Sequence, residues 1–360
     1  MYKPSGRNIK CYDVNSLYPS VMKNNKFPVG NITYFEGDIT ILGNDKYWIG
    51  SVDVNTNKTL YQPYLQIHYK TPVGFRTISL NGSFKMVINS PEYFNAQKDY
   101  DFKINHGYFF DSANIFNDFV TDFYNFRSKY PKGDPMNMTC KLIMNSLYGR
   151  FAMKSIFSSQ LFTSRDNFMK LTEKYQIEDF FELGDNEFFV LFEDTTNFYN
   201  EQKISIGIAS AVTAYGRIVL SKFKNNPKIN LFYTDNDSIF IDSELSNNLV
   251  NNQIGKFKEE YTFLKAVFLG PKIYAGITND NKYICKIKGY KNPSAVSFEN
   301  MESLLNENKK LELKHTKWFR NLDKANIAMI EQVFHLVDTE NKRNIIYKNG
   351  IASDTESFNL

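Results

Sequence analysis

The sequence predicts an α+β fold. Short β-like runs broken by Asn, Gly and Pro fill residues 31–110, helical periodicity takes over at 112–130, and tightly turned strand pairs follow residue 230. The 360 residues, 42% of them hydrophobic, suffice for a sizeable core in roughly two or three domains. Repeats, Pro/Ser linkers and long charge blocks are missing, so boundaries come from these pattern changes.

In order, NIKCYDV at 8–14 reads as a strand and Ser16–Met22 as the helix after it, with Pro19 in the first turn. NITYF, YWIGSVDV, PYLQIHY and FKMVI supply the β-rich stretch. Over 112–130, Ile115, Phe116, Phe119, Val120, Phe123 and Phe126 recur at three and four, an amphipathic helix. A second helix has Asp134 as N-cap, Pro135 at its first position and Gly149 as its stop. Residues 155–203 read as polar, aromatic and irregular, and 204–223 as a helix rich in small residues. The hairpin NLFYTDNDSIFI, a helix around 245–260 and a strand pair across TNDN come next. The last fifty residues read as helical, fraying from Ile351.

Lys and Arg number 43 against 39 Asp and Glu, a net charge of +4. That excludes an acidic or polybasic tail protein and leaves room for a basic groove that meets nucleic acid. Cys11, Cys140 and Cys285 lie far apart and the four histidines are scattered, which gives neither zinc spacing nor a disulfide framework. A reduced, intracellular protein is expected. No apolar run approaches the ~18 residues of a membrane span, and MYKPSGRNIK is neither a signal peptide nor an Arg/Ser-rich presequence. The 41 Asn, 32 Phe and 23 Tyr against 12 Ala favour A/T-rich codons, as in an organelle, linear plasmid or virus, or in a lineage with that codon bias.

Asp235 and Asp237 sit two apart in the turn of YTDNDSIF. Asp and Asn are ordinary turn formers. Two carboxylates on a hairpin tip are also the hard oxygen ligands a divalent cation takes. Asp13 ends the first strand; if that strand lies beside the hairpin, three carboxylates share one sheet edge. Two Mg²⁺ about 3.5–4 Å apart need that arrangement, one activating an attacking oxygen and one holding a leaving pyrophosphate. On the helix from Pro135 to Tyr148, Lys141, Asn145 and Tyr148 share a face, while Leu142, Ile143 and Leu147 are free to pack elsewhere. Such a stripe suits the phosphate, sugar and base of a nucleoside triphosphate, and equally an ordinary amphipathic helix. Lys129, twelve residues upstream of Lys141, is placed to reach the same phosphates.

YDVNSLYPS at 12–20, KLIMNSLYG at 141–149 and YTDNDS at 233–238 resemble, in order and spacing, the three polymerase motifs of family B DNA polymerases, and most closely the protein-primed subgroup. PKIYAG at 271–276 resembles that subgroup's Lys-x-Tyr motif, so the likeness runs from residue 12 to about 300. It implies a right-hand polymerase fold with an antiparallel palm sheet and two insertions. The palm is expected at 1–67 and 204–300, a terminal-protein-type insertion at 68–111, fingers at 112–154, a second insertion at 155–203, and thumb with tail at 301–360.

It also implies roles. Asp13 and Asp237 would ligate metal with the Val14 carbonyl, and Asp235 would be the adjacent acid. Tyr18 would fill the space of a ribose 2′-hydroxyl, and Lys129 and Lys141 would bind triphosphate. Ser16, Asn145, Tyr148 and Gly149 would meet the nascent base pair and template, and Lys272 and Tyr274 the primer strand. The expected cofactor is a pair of Mg²⁺ ions, with Mn²⁺ as substitute. The expected partners are primer–template DNA, dNTPs and a priming terminal protein, with the chain itself a monomer. An organellar linear plasmid, hence the mitochondrion, is the expected setting, with a cytoplasmic plasmid or a virus as the alternative. Asn236 stands where Thr is usual, which should alter primer-terminus contacts. Twelve residues before Asp13 leave no place for the family's 3′–5′ exonuclease, so proofreading is expected to be absent. The rival readings are a catalytically silent DNA-binding remnant and a reverse transcriptase or other RNA-templated polymerase, which shares paired aspartates on a hairpin.

Overall fold

The computed structural model describes residues 1–43, 45–71, 74–153, 158–193, 204–321, 326–337 and 342–359. In chain order the elements are β1 (Ser5–Val14), α1 (Leu17–Asn24), β2 (Phe27–Glu36), β3 (Tyr47–Thr56), β4 (Ile67–Thr71), β5 (Gly74–Ile78), β6 (Ser83–Asn89), α2 (Ser90–Ala96), β7 (Tyr100–Ala113), α3 (Asn117–Ser128) and α4 (Pro135–Phe151). Then come β8 (Ser158–Ser164), α5 (Arg165–Lys174), β9 (Gln176–Gly184), β10 (Glu187–Glu193), α6 (Ile206–Ser221), β11 (Leu231–Thr234), β12 (Ser238–Ile241), β13 (Phe257–Gly270), β14 (Ile273–Thr278) and β15 (Tyr283–Ile287). The chain ends with α7 (Phe298–Ser303), β16 (Lys310–Asn321), β17 (Asn326–Val337), β18 (Asn344–Lys348) and β19 (Ile351–Glu356).

Two compact units result. The larger comprises Met1–Leu147, Gly207–Glu312 and His335–Leu360; the smaller comprises Tyr148–Ile206 and Leu313–Phe334. In the larger unit an antiparallel six-stranded sheet runs β11-β12-β1-β13-β14-β15, and a four-stranded sheet runs β2-β7-β3-β6. β6 and β7 therefore share a sheet with β2 and β3, residues expected in the palm. The smaller unit holds the three-stranded sheet β8-β10-β9 with α5, packed through Phe168, Leu171, Phe188, Val190 and Phe192. Among the described residues no helix is long and apolar enough to cross a membrane.

Burial in β1 explains the six-stranded sheet. Ile9 and Cys11 share one face with Phe240, Phe263, Phe268 and Ile284, and by the period of two Asp13 is the next residue on that face. Glycine is required where β14 crosses this core: a Cβ on Gly276 would enter the Phe263 ring, itself fully buried. Gly276→Val is expected to cost about 1–3 kcal/mol through overpacking, read as a lower urea midpoint at unchanged slope.

Several expected elements hold. β1, α1 and α6 fall where expected, the 231–241 hairpin forms, and the Asp134 carboxylate accepts from the Met136 amide at 2.7 Å as an N-cap. Others are corrected. The expected helix around 245–260 is a run of turns that enters β13, because β1 offers Phe257–Gly270 a backbone partner. The last fifty residues form β16 to β19, and Ile351 opens a strand instead of fraying. Residues 158–193, expected to be irregular, are β8, α5, β9 and β10; 155–157 and 194–203 lie outside the described residues. The helix expected over 112–130 is confined to Asn117–Ser128, since β7 continues to Ala113. Gly149 does not stop α4, which runs to Phe151; nothing about a Gly backbone with ordinary φ ends a helix. α4 is buried through Cys140 and Met144, whereas Leu142 and Ile143 are exposed at 56% and 37%.

Candidate active site

The register of three strands assembles the acids. Asp13 lies opposite Ser238, the Val14 amide donates to the Asp237 carbonyl at 2.8 Å, and the Asp235 amide donates to the Ser238 carbonyl at 3.1 Å. A strand from the start of the chain thus delivers Asp13 and buried Val14 to the mouth of a hairpin 224 residues later. Behind the turn, the Asn15 amide donates to the Lys256 carbonyl (2.9 Å) and the Gly255 amide to the Asn15 carbonyl (2.8 Å), so the loop before β13 pins the strand end.

The acids assembled by this register act on one another. Burial, then Asp237 and Glu260, push the Asp13 carboxyl up to about 7, against the pull of Lys141 and Lys258. Asp237 is also raised, by burial first and then by Asp235. Glu260 escaped the sequence reading. Its strand bulges there: Cys11 pairs with Tyr261 and Tyr12 with Glu259, leaving Glu260 without a backbone partner on β1; its carboxylate lies 3.8 Å from the Lys258 ammonium and acts on Asp13 and Asp237. Among the described residues no group of three His, Cys, Asp or Glu could hold a metal alone. Mg²⁺ fits such a place nonetheless, since it is bound through one or two carboxylates and takes its other ligands from water and substrate phosphates. Two mutually repelling carboxylates of raised pKa are a donor set that a dication would relieve.

Cations flank the acids. Lys141 on α4 acts on Asp13; Lys258, also missed in the sequence, does so from the β13 residue paired with Asp13. Lys272, at φ +60°, sets its ammonium 2.9 Å from Asp235 Oδ2 while its amide donates to the Tyr233 hydroxyl at 2.9 Å. Lys129 is not among the groups dominating Asp13; its ammonium lies 5.7 Å from the Phe126 ring centroid. Tyr274 is half-buried in an aromatic cluster beneath the hairpin, 5.2 Å from Phe240 and 5.8 Å from Tyr233 between centroids. Ser16, left-handed at φ 52°, accepts from Arg127 Nη1 at 3.3 Å, which ties the start of α1 to α3. Asn145 is half-buried on α4; Tyr148, half-buried, and Gly149, exposed, belong to the smaller unit.

Tyr18 stands on α1 against α6. A Cβ on Gly216 would lie 3.2 Å from its ring, so the glycine lets the ring settle on the helix. Tyr18, Thr213, Gly216 and Arg217 line a cavity of about 210 Å³ that reaches Asp235 and Asn236. No sequence motif singled out Gly216; its contact partner is 198 residues away.

Likeness to known proteins agrees with this geometry. The family model described as DNA polymerase type B, organellar and viral, matches residues 1–230. A "Probable DNA polymerase" of Neurospora intermedia is 32% identical over 342 residues, covering 91% of this chain and 35% of the relative. Another, of Ascobolus immersus, is 32% identical over 356 residues, 96% of this chain and 29% of the relative. The "DNA polymerase" of Streptococcus phage Cp-1 is 25% identical over 281 residues, 74% of this chain and 45% of the relative. The chain thus spans about a third of the length of the fungal relatives. Among solved structures, Phi29 DNA polymerase complexed with primer-template DNA superposes with a TM-score of 0.69 at 19% identity, over 92% of this chain and 58% of that one. The likeness shows the right-hand polymerase fold. With nearly two thirds of its length matched by the family model, the chain belongs to the type B DNA polymerases of organelles and viruses.

Proposed function

We propose that this chain carries the polymerising site of a DNA polymerase, joining dNTPs to a primer 3′-hydroxyl on a DNA template. The observation that carries it is the hydrogen-bonded register that puts Asp13 beside Asp237, with Lys141 acting on one side and Lys272 on Asp235. In the transfer, the primer 3′-hydroxyl gives up its proton to solvent as its oxygen attacks the α-phosphorus, the bond from that phosphorus to the β-bridging oxygen breaks, and pyrophosphate leaves. Such chemistry asks for positioning and charge neutralisation more than covalent help. Asp13, Asp237 and the Val14 carbonyl would hold the two Mg²⁺ ions, which would supply charge stabilisation at the attacking and leaving oxygens. Lys141 and Lys129 would bind triphosphate, Ser16, Asn145, Tyr148 and Gly149 the nascent pair and template, and Lys272 with Tyr274 the primer.

In the longer protein, the primer would be a hydroxyl of a terminal protein, and the gene an organellar linear plasmid, so the mitochondrion is the proposed setting. The description of the family as organellar and viral supports the organellar setting. Primer extension on a recessed duplex with dNTPs and Mg²⁺ tests the reading. Extension that Asp13→Ala and Asp237→Ala both abolish is expected; duplex binding without extension would favour the silent remnant. Tyr18→Ala, which opens the cavity over Gly216, is expected to lower dNTP-over-rNTP discrimination about 10²-fold, measured as a ratio of kcat/KM values.

A further inference from the structure

The hairpin tip borders a second cavity that the transfer chemistry leaves unused. It encloses about 170 Å³ against Tyr233, Asp235 and Asn236, walled by Lys224, Lys342 and Arg343. Lys224, Asp235 and Asn236 also line the cavity beside Tyr18, so Lys224 stands at the wall common to both.

The three cations differ. Arg343 is a fixture: it is buried, its Nε donates to Thr355 Oγ1 at 2.8 Å, and its Nη2 donates to the Thr355 carbonyl at 3.0 Å. Lys224 and Lys342 form no ion pair with a described carboxylate; the ammonium of half-buried Lys224 meets a phenol, Tyr2. Lys288, whose amide donates to the Lys272 carbonyl at 3.1 Å, adds its charge to the same region. Lys342 is an exposed residue whose ammonium is lowered first by partial burial and then by Lys224 and Lys288, against the upward pull of Tyr2 and Asp235; Asp235 is itself paired with Lys272. Folding has gathered like charges whose repulsion an anion would relieve.

We propose that Lys224 and Lys342 form a clamp on a backbone phosphodiester of the primer strand, next to its 3′-terminal nucleotide. The inference rests on the polymerase reading above. Position selects the strand: Lys141 and Lys258 act on Asp13, whereas Lys272 and Lys342 act at Asp235. On the polymerase reading a triphosphate would be neutralised near Asp13, and a primer held by Lys272 would bring its last phosphodiesters to Asp235. Asn236 lines both cavities and adds an amide donor at the same wall.

Equilibrium binding of a recessed primer–template, without dNTP and across a salt series, tests the clamp. Lys224→Gln and Lys342→Gln should each weaken binding about 3–10-fold and flatten the log K against log salt slope by about 0.9, and Lys342→Gln, at a residue that does not line the cavity beside Tyr18, should leave the dNTP KM within about twofold of wild type. Lys224→Arg should restore the slope. A primer with a neutral methylphosphonate at the last phosphodiester should bind wild type more weakly and the double variant no worse than the ordinary primer. A wild-type slope in both variants, an equal methylphosphonate loss in wild type and double variant, or a raised dNTP KM with unchanged slope would each overturn the clamp. If wild type extends the primer and the variants match it, the clamp alone fails. A wild type that neither binds nor extends the duplex sinks the polymerase reading itself.

Discussion

Asp13→Asn is expected to cut nucleotide incorporation by at least about 10³-fold while making the metal-free protein more stable. The two effects share one cause. Burial, Asp237 and Glu260 hold the Asp13 carboxyl up at about 7, so the folded state disfavours its charge. A folded-state value above the unfolded one means the native protein binds the extra proton between about pH 4 and 7. Stability from this group is therefore complete below about pH 4 and is lost as pH rises to about 7. Asparagine keeps the shape and never ionises, so in EDTA at pH 8 the variant should unfold later, by on the order of 1–3 kcal/mol after solvent screening. Its stability should also fall less between pH 4 and 7 than that of wild type. Millimolar Mg²⁺ should then raise the melting temperature of wild type and leave the variant nearly unmoved, because the dication gains most where carboxylates repel. A variant that loses activity and stability together would place Asp13 among structural acids.

Parts of this site were legible in the sequence for physical reasons. Asp235 and Asp237 lie in a turn bounded by alternating apolar residues, and a local pattern reports a hairpin well. Asp13 ends a strand whose alternation of Ile9, Cys11 and Asp13 shows which face it takes. The pairing of that strand with the hairpin was not legible, since it joins residues 224 apart through backbone bonds no side chain announces. Glu260 was hidden for the same reason. FKEEYTFLKA carries Lys, Glu and Leu, good helix formers, and becomes a strand because β1 supplies the missing hydrogen bonds. The bulge that frees Glu260 exists only in that pairing. Likewise LELKHTKWF alternates as a strand does, yet its Lys, Glu and Leu content favoured a helix until β17 paired with it.

Arg217→Met is expected to destabilise the larger unit by about 3 kcal/mol and to disturb Tyr18 from behind. On α6, Arg217 meets Glu92 of α2 in a bidentate pair, Nε to Oε1 at 2.7 Å and Nη2 to Oε2 at 2.9 Å. Glu92 is only 7% exposed, so deleting the guanidinium strands a carboxylate in the interior, a loss of about 3–5 kcal/mol. The 38% exposure of the Arg217 side chain argues for the lower end. Neutral bonds accompany the pair: Asn95 Nδ2 donates to Ser221 Oγ at 3.0 Å and Ser210 Oγ donates to Asn89 Oδ1 at 3.2 Å. Together they fasten α6, and with it Gly216 under the Tyr18 ring, to the helix that closes the four-stranded sheet. The double variant Glu92→Leu/Arg217→Leu separates charge from attachment. It should recover most of the stability, since no buried charge remains, as read by urea midpoints. Without the bidentate fork α6 keeps less of its position, so dNTP-over-rNTP discrimination should stay below wild type even where stability returns. Wild-type discrimination in that variant would mean that packing around Gly216, and not the ion pair, seats Tyr18.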